Sequence, residues 1–158
     1  MVIEKDDAHG DAYGDPWDAA FAAARAAAAA GETPVGAALV RDNRVIATAG
    51  NRVIADHDPT AHAEILAIRA AAREIGSERL IGCDLYVTLE PCAMCAGAIS
   101  FARIRRLYWA AGDAKGGAVE HGPRFFSQPT CHHAPDLYGG IRESEAAAML
   151  REFFRARR

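Results

Sequence analysis

Apolar and polar positions change period several times along the chain. Residues 16–30 are mostly alanine, with Trp17 and Phe21 one helical turn apart, and this predicts a helix. Asp15 is placed to cap it, Pro16 suits its first position and Gly31 ends it. Residues 35–40 and 45–49 are runs of strand formers separated by Asp42-Asn43, the pattern of a hairpin. A polar loop follows over residues 51–58. Ile65, Leu66, Ile68 and Ile75 return at helical spacing and predict a second helix from about Pro59-Thr60, capped by Asp58, to Gly76. Residues 84–89 are almost continuously apolar or β-forming, as in a central strand buried on both faces. A third helix is expected over residues 92–101 and a strand over 107–111. Residues 112–140 read mostly as loop, with a short strand near Leu137-Tyr138. The last helix, 143–155, would turn Ala147, Leu150, Phe153 and Phe154 inward.

Strands alternating with helices predict a three-layer α/β/α sandwich around a mixed five-stranded sheet. No repeat or linker divides the chain, so residues 15–158 are expected to be one domain behind a flexible tail, 1–14. At 158 residues such a domain buries a substantial core.

Composition narrows the setting. The first residues are polar and acidic, unlike a secretory signal, and no stretch is long and apolar enough to span a membrane. Four cysteines without a signal suggest reduced thiols or metal ligands and a cytoplasmic protein. Lys and Arg number 18 against 21 Asp and Glu, a net charge of −3, which does not point to nucleic acid. Arginine is nevertheless clustered, at Arg103, Arg105 and Arg106 and at Arg151, Arg155, Arg157 and Arg158. Such clusters either bind phosphate or sit favourably at helix C-termini; the sequence leaves both readings open.

The chemistry lies in His62-Ala63-Glu64 and Pro91-Cys92-Ala93-Met94-Cys95. One histidine and two cysteines make three zinc ligands, leaving a fourth position for a water that zinc activates at neutral pH. Both groups fall at expected helix starts, where backbone N–H groups favour negative charge. The 84–89 strand delivers the cysteines to the carboxyl edge of the sheet. Glu64 is badly oriented to share a metal with His62, but well placed to move a proton beside it.

With these motifs the chain resembles the zinc-dependent nucleobase and nucleoside deaminases, which carry His-x-Glu followed by Pro-Cys-x-x-Cys. Pro34-Val35-Gly36-Ala37, Asn51-Arg52, residues 57–65 and 85–92, Met94-Cys95-Ala96-Gly97-Ala98, Asp113-Ala114-Lys115 and Phe153-Phe154-Arg155 are similar to the bacterial tRNA-specific adenosine deaminases. The likeness runs from about Trp17 to Arg158. It implies a cytidine deaminase-like fold, one Zn2+ per subunit, a homodimer and hydrolysis of wobble adenosine to inosine in a tRNA anticodon stem-loop. It further implies His62, Cys92 and Cys95 as zinc ligands and Glu64 as the proton shuttle. Asn51 and the Ala63 backbone would bind the base between Val35 and Leu89, while Asp113, Phe154, Arg157 and Arg158 would approach the RNA. Residues 117–141, including Glu120-His121-Gly122-Pro123, depart from the family pattern, in a region where loops set which substrate fits.

Plainer readings stand beside these. Cys83 or Cys131 could complete a closed, structural zinc site, although Cys83 reads more simply as a buried thiol. His57, His132 and His133 read as solvated or hydrogen-bonded loop histidines. Trp17 and Phe21 read as core, Trp109 as core or dimer interface, and Phe153 and Phe154 as core. Deamination of a free base such as guanine or cytosine needs the same zinc chemistry. A non-catalytic zinc module would leave Glu64 without a role.

Overall fold

The computed structural model describes residues 14–157; the rest of the expected tail and Arg158 lie outside them. Helix α1 (Pro16–Ala29) begins as expected, with the Asp15 carboxylate accepting the Trp17 N–H at 2.7 Å. Strands β1 (Gly36–Arg41) and β2 (Arg44–Gly50) form the hairpin, and Asp42 and Asn43 both take positive φ, as a two-residue turn of this kind requires. Helix α2 (Ala63–Ile75), strand β3 (Cys83–Leu89), helix α3 (Ala93–Phe101) and strand β4 (Arg106–Ala111) follow. A 3-10 turn (Phe125–Ser127), the short strand β5 (Asp136–Gly139) and helix α4 (Glu143–Arg155) complete the order.

The sheet order is β2-β1-β3-β4-β5. Strand β1 is antiparallel to both of its neighbours, whereas β3, β4 and β5 are parallel. Consequently β2, β3, β4 and β5 all point the same way. The chain leaves β2, β3, β4 and β5 and enters β1 at one edge of the sheet, so five connections meet there.

Alternation along the strands makes the expected sandwich. Ala37, Leu39, Leu85, Val87, Leu107 and Trp109 face the layer of α2 and α3; Tyr86, Tyr108 and Ala110 face α1 and α4. On the second face Tyr86, Tyr108 and Tyr138 are register partners stacked across three strands, with ring centroids 4.5 and 4.9 Å apart. Trp109 is core, its indole lying over Gly139. Helix α1 comes so close to the hairpin that a Cβ on Gly36 would collide with the Ala20 carbonyl and lie 2.6 Å from the Ala24 nitrogen.

Two expectations are corrected. Helix α2 starts at Ala63 with His62 at its N-cap position; the Asp58 carboxylate instead accepts the Thr60 N–H and hydroxyl at 2.8 and 2.7 Å, closing a local turn. The buried stripe of α2 is Ala63, Glu64, Ala67 and Ala71, while the larger Ile68 and Ile75 are only partly buried at its flanks. In α4, Ala146 and Phe153 are buried, but Phe154 is 51% exposed.

The closeness of α1 gives a direct expectation. Gly36→Ala should destabilise the fold by about 3 kcal/mol, because both colliding atoms are helix backbone and neither can swing aside. Thermal unfolding measures it, and an unchanged midpoint would contradict this packing.

Candidate active site

Two helix starts meet at the sheet edge. His62 precedes α2 and Cys92 precedes α3; both have extended backbone at the N-cap position, and neither side chain caps its own helix. That leaves both side chains free to point at each other. His62 Nδ1 stands 3.6 Å from Cys92 Sγ and 3.5 Å from Cys95 Sγ, and the three donor atoms lie within 4.8 Å of one another. A tetrahedral zinc ion, with Zn–N of about 2.05 Å and Zn–S of about 2.3 Å, sets its nitrogen and sulfur ligands about 3.6 Å apart. The observed separations therefore fit zinc without rearrangement. Neither Cys83 nor Cys131 belongs to this group. Cys83, the first residue of β3, is buried, and burial pushes its thiol pKa up. Cys131 bonds the His133 carbonyl and lies 3.6 Å from the Ser100 hydroxyl. The closed four-ligand site is thus replaced by three ligands with one position open.

The two sulfurs share their charge unequally. The Cys95 hydrogen bond is the main influence holding Cys92 down to about 5, against the opposing effect of burial. That same bond, with burial, pushes Cys95 up. Glu64 is 3% exposed, and burial raises its pKa, with the charge of Cys92 adding to the effect.

Above the group opens a cavity of about 690 Å³, and its lining follows from the topology. The approach to β1 supplies Glu32 and Val35; the exit of β2 supplies Asn51, Val53 and Ile54; the exit of β3 supplies Leu89, Glu90 and Cys92; and the exit of β4 supplies Asp113 and Gly116. His62, Glu64, Phe153 and Arg157 are also on its wall. Val35, Asn51, Leu89, Asp113 and Arg157, expected from the sequence, are therefore brought together. Ala63 and Phe154 are not on this wall. The Ala63 N–H donates to Asn51 Oδ1 at 2.8 Å and so is already engaged, which leaves the Asn51 amide nitrogen for a ligand. Phe153 takes the place expected of Phe154, with the Arg157 guanidinium 3.5 Å above its ring. His57 and His132 are exposed and not on the cavity wall, and His133 is tied to the Ile104 carbonyl at 2.7 Å.

Two buried carboxylates at the cavity escaped the sequence reading. Glu32 accepts the N–H groups of Ile54 and Ala55 at 3.1 and 2.9 Å, holding the loop after β2. Glu90 accepts the N–H groups of Asp113, Val119, Glu120 and His121, each at 3.1 Å. Burial acts to raise the Glu90 pKa, but the His121 bond and these N–H groups outweigh it and lower it. A Gly-Glu-x-Pro or Leu-Glu-Pro string does not disclose such partners, because the donors come from segments far along the chain.

Comparison with known proteins agrees with this geometry. Residues 16–111 match the cytidine and deoxycytidylate deaminase zinc-binding region. The chain belongs to this zinc-binding deaminase family. The tRNA-specific adenosine deaminase of Agrobacterium fabrum is 68% identical over 127 residues, 80% of this chain and 84% of that protein. A solved structure from a study of A-to-I editing by tRNA:A34 deaminases superimposes with a TM-score of 0.85 at 63% identity, over 85% of this deaminase and 98% of that chain. The guanine deaminase from Nitrosomonas europaea shares the fold less closely, with a TM-score of 0.70 at 26% identity over 87% and 82% of the two chains.

The ligand assignment has a simple check. Cys95→Ser should lose most bound zinc, and Cys83→Ser should retain one ion per chain, by metal analysis of the purified proteins. Equal zinc contents in the two variants would contradict the three-ligand set.

Proposed function

We propose that this deaminase, a single domain over residues 15–158, converts adenosine to inosine at the wobble position of a tRNA anticodon, releasing ammonia. The observation that carries the reading is a buried carboxyl, Glu64, beside His62, Cys92 and Cys95 on the wall of a cavity large enough for a base. The choice of a tRNA adenosine rests on the 68% identity to a tRNA-specific adenosine deaminase and on the match to a tRNA:A34 deaminase.

Zinc held by His62, Cys92 and Cys95 would supply Lewis-acid activation of water at the reacting carbon. Glu64 does the proton work: its carboxylate takes one proton from the attacking water and passes it to the ring nitrogen beside that carbon, then takes the second from the oxygen now bonded to that carbon and gives it to the amine, which leaves as ammonia. Asn51, fixed by the Ala63 N–H, turns its amide nitrogen to the base. Val35 and Leu89 close on its faces and exclude water. Asp113 and Arg157 meet the RNA at the rim, with exposed Phe154 beyond. The target base must leave its stack to reach this depth, which an anticodon loop permits more readily than a duplex.

The enzyme acts in the cytoplasm as a homodimer in this reading. No helix among the described residues is long and apolar enough to cross a membrane. Met94 and Phe101, seven residues apart on α3, are 37% and 77% exposed and offer an apolar surface for pairing. Sedimentation of the purified protein at the mass of one chain would overturn the dimer.

A second reading, deamination of a free base, draws on the shared fold of the guanine deaminase. An anticodon stem-loop with wobble adenosine, tested beside adenosine, guanine and cytosine, separates the two. Inosine should form in the stem-loop, with affinity falling steeply as salt rises. Ammonia released only from free bases would sink the tRNA reading. Glu64→Gln should keep its zinc and lose roughly a hundredfold to ten-thousandfold in turnover; undiminished turnover would remove Glu64 from its role.

A further inference from the structure

The loop after β4 wraps one side chain. Glu90 is wholly buried, and its two oxygens accept five donors. Oε2 takes the N–H groups of Val119, Glu120 and His121, whereas Oε1 takes the Asp113 N–H and, at 2.7 Å, His121 Nδ1. The loop lies so tightly on this carboxylate that a Cβ on Gly117 would collide with Oε2 and lie 2.5 Å from the Asp113 carbonyl oxygen. Ala118 adds an N–H bond to the Pro91 carbonyl at 2.9 Å.

Four of the five donors are backbone and would be offered by almost any sequence here. The fifth is the side chain of His121. An imidazole donates from Nδ1 both as the Nδ1–H tautomer and as the cation. The bond, 2.7 Å to a carboxyl group with no solvent exposure, is short. Oε1 joins two things: the imidazole on one side, and on the other the amide of Asp113, which with Gly116 forms one rim of the cavity. The Asp113 carboxylate in turn accepts the N–H groups of Lys115 and Gly116 at 3.1 and 2.9 Å, so the rim moves as one piece.

The geometry points to His121 as a positioning residue for the substrate, acting through the Glu90 carboxylate on the rim formed by residues 113–116. It touches no reacting atom; its 40% exposed ring stands behind the wall that the substrate meets. This deepens the tRNA reading and rests on it for its kinetic consequence.

The test compares His121→Ala with His121→Asn in the zinc-loaded, full-length protein. Asn can present its amide N–H where the imidazole Nδ1 stood. In His121→Ala, amide hydrogen exchange over residues 113–121 should quicken roughly three- to tenfold, and KM for the stem-loop should rise by a similar factor. Zinc content and kcat should stay within about twofold of the parent. His121→Asn should restore both exchange and KM. Unchanged exchange and KM in His121→Ala would overturn the proposal. So would an Asn variant no better than Ala, or a fall in kcat that follows zinc loss. Should the parent protein leave the stem-loop untouched, the tRNA reading fails separately. The exchange comparison then still decides the clamp, and KM is read on whichever free base the parent turns over.

Discussion

Everything at the cavity depends on one close approach: a histidine nitrogen held about equally far from two cysteine sulfurs. The histidine precedes one helix and the first cysteine another, so α2 and α3 must start side by side. Each helix follows a strand that runs toward the same edge, which sets both starts at that edge. Each must also lie close to the sheet. In α2 that closeness comes from alanines at 63, 67 and 71, which bring the helix backbone down onto β1 and β2. Larger residues on that stripe would lift α2 and with it the imidazole. Packing in the second layer thus sets the ligand geometry.

The same edge explains why the cavity draws on segments so far apart in sequence. A mixed sheet with β1 reversed brings one strand entry and four strand exits together, and loops there carry ligand sites in open α/β folds. The opposite face of the sheet contributes rigidity. The stacked tyrosines of β3, β4 and β5, with Trp17 edge-on to Tyr86, tie the parallel strands to α1. The strands that hold the two cavity walls are then unable to slide independently.

Much of this was legible where the signal is local. The cap at Asp15, the Asp42-Asn43 turn and the nearly continuous apolar run of β3 each depend on neighbours within a few residues, and each was found where expected. The zinc motif was legible because its spacing is itself the constraint. What escaped depended on distant partners. Asp58 resembles a cap but spends its oxygen on Thr60, and nothing in the string says that the helix waits until Ala63. The isoleucines of α2 outweigh its alanines on any hydrophobic scale, yet close packing selects the smaller residues. Glu32 and Glu90 look like ordinary charged residues until the loops that they hold fold back over them.

The bond from the Ala63 N–H to Asn51 Oδ1 has a mechanical meaning. Because His62 turns its side chain toward the sulfurs, α2 has no cap of its own, and Asn51 supplies one from the loop after β2. A single amide therefore has its oxygen fastened to the helix and its nitrogen toward the cavity. Any tug on that nitrogen is transmitted through one rigid plane to the first turn of α2, where the imidazole sits one residue upstream. Occupant and metal ligand hang from opposite ends of the same lever, so neither can shift far without the other registering it.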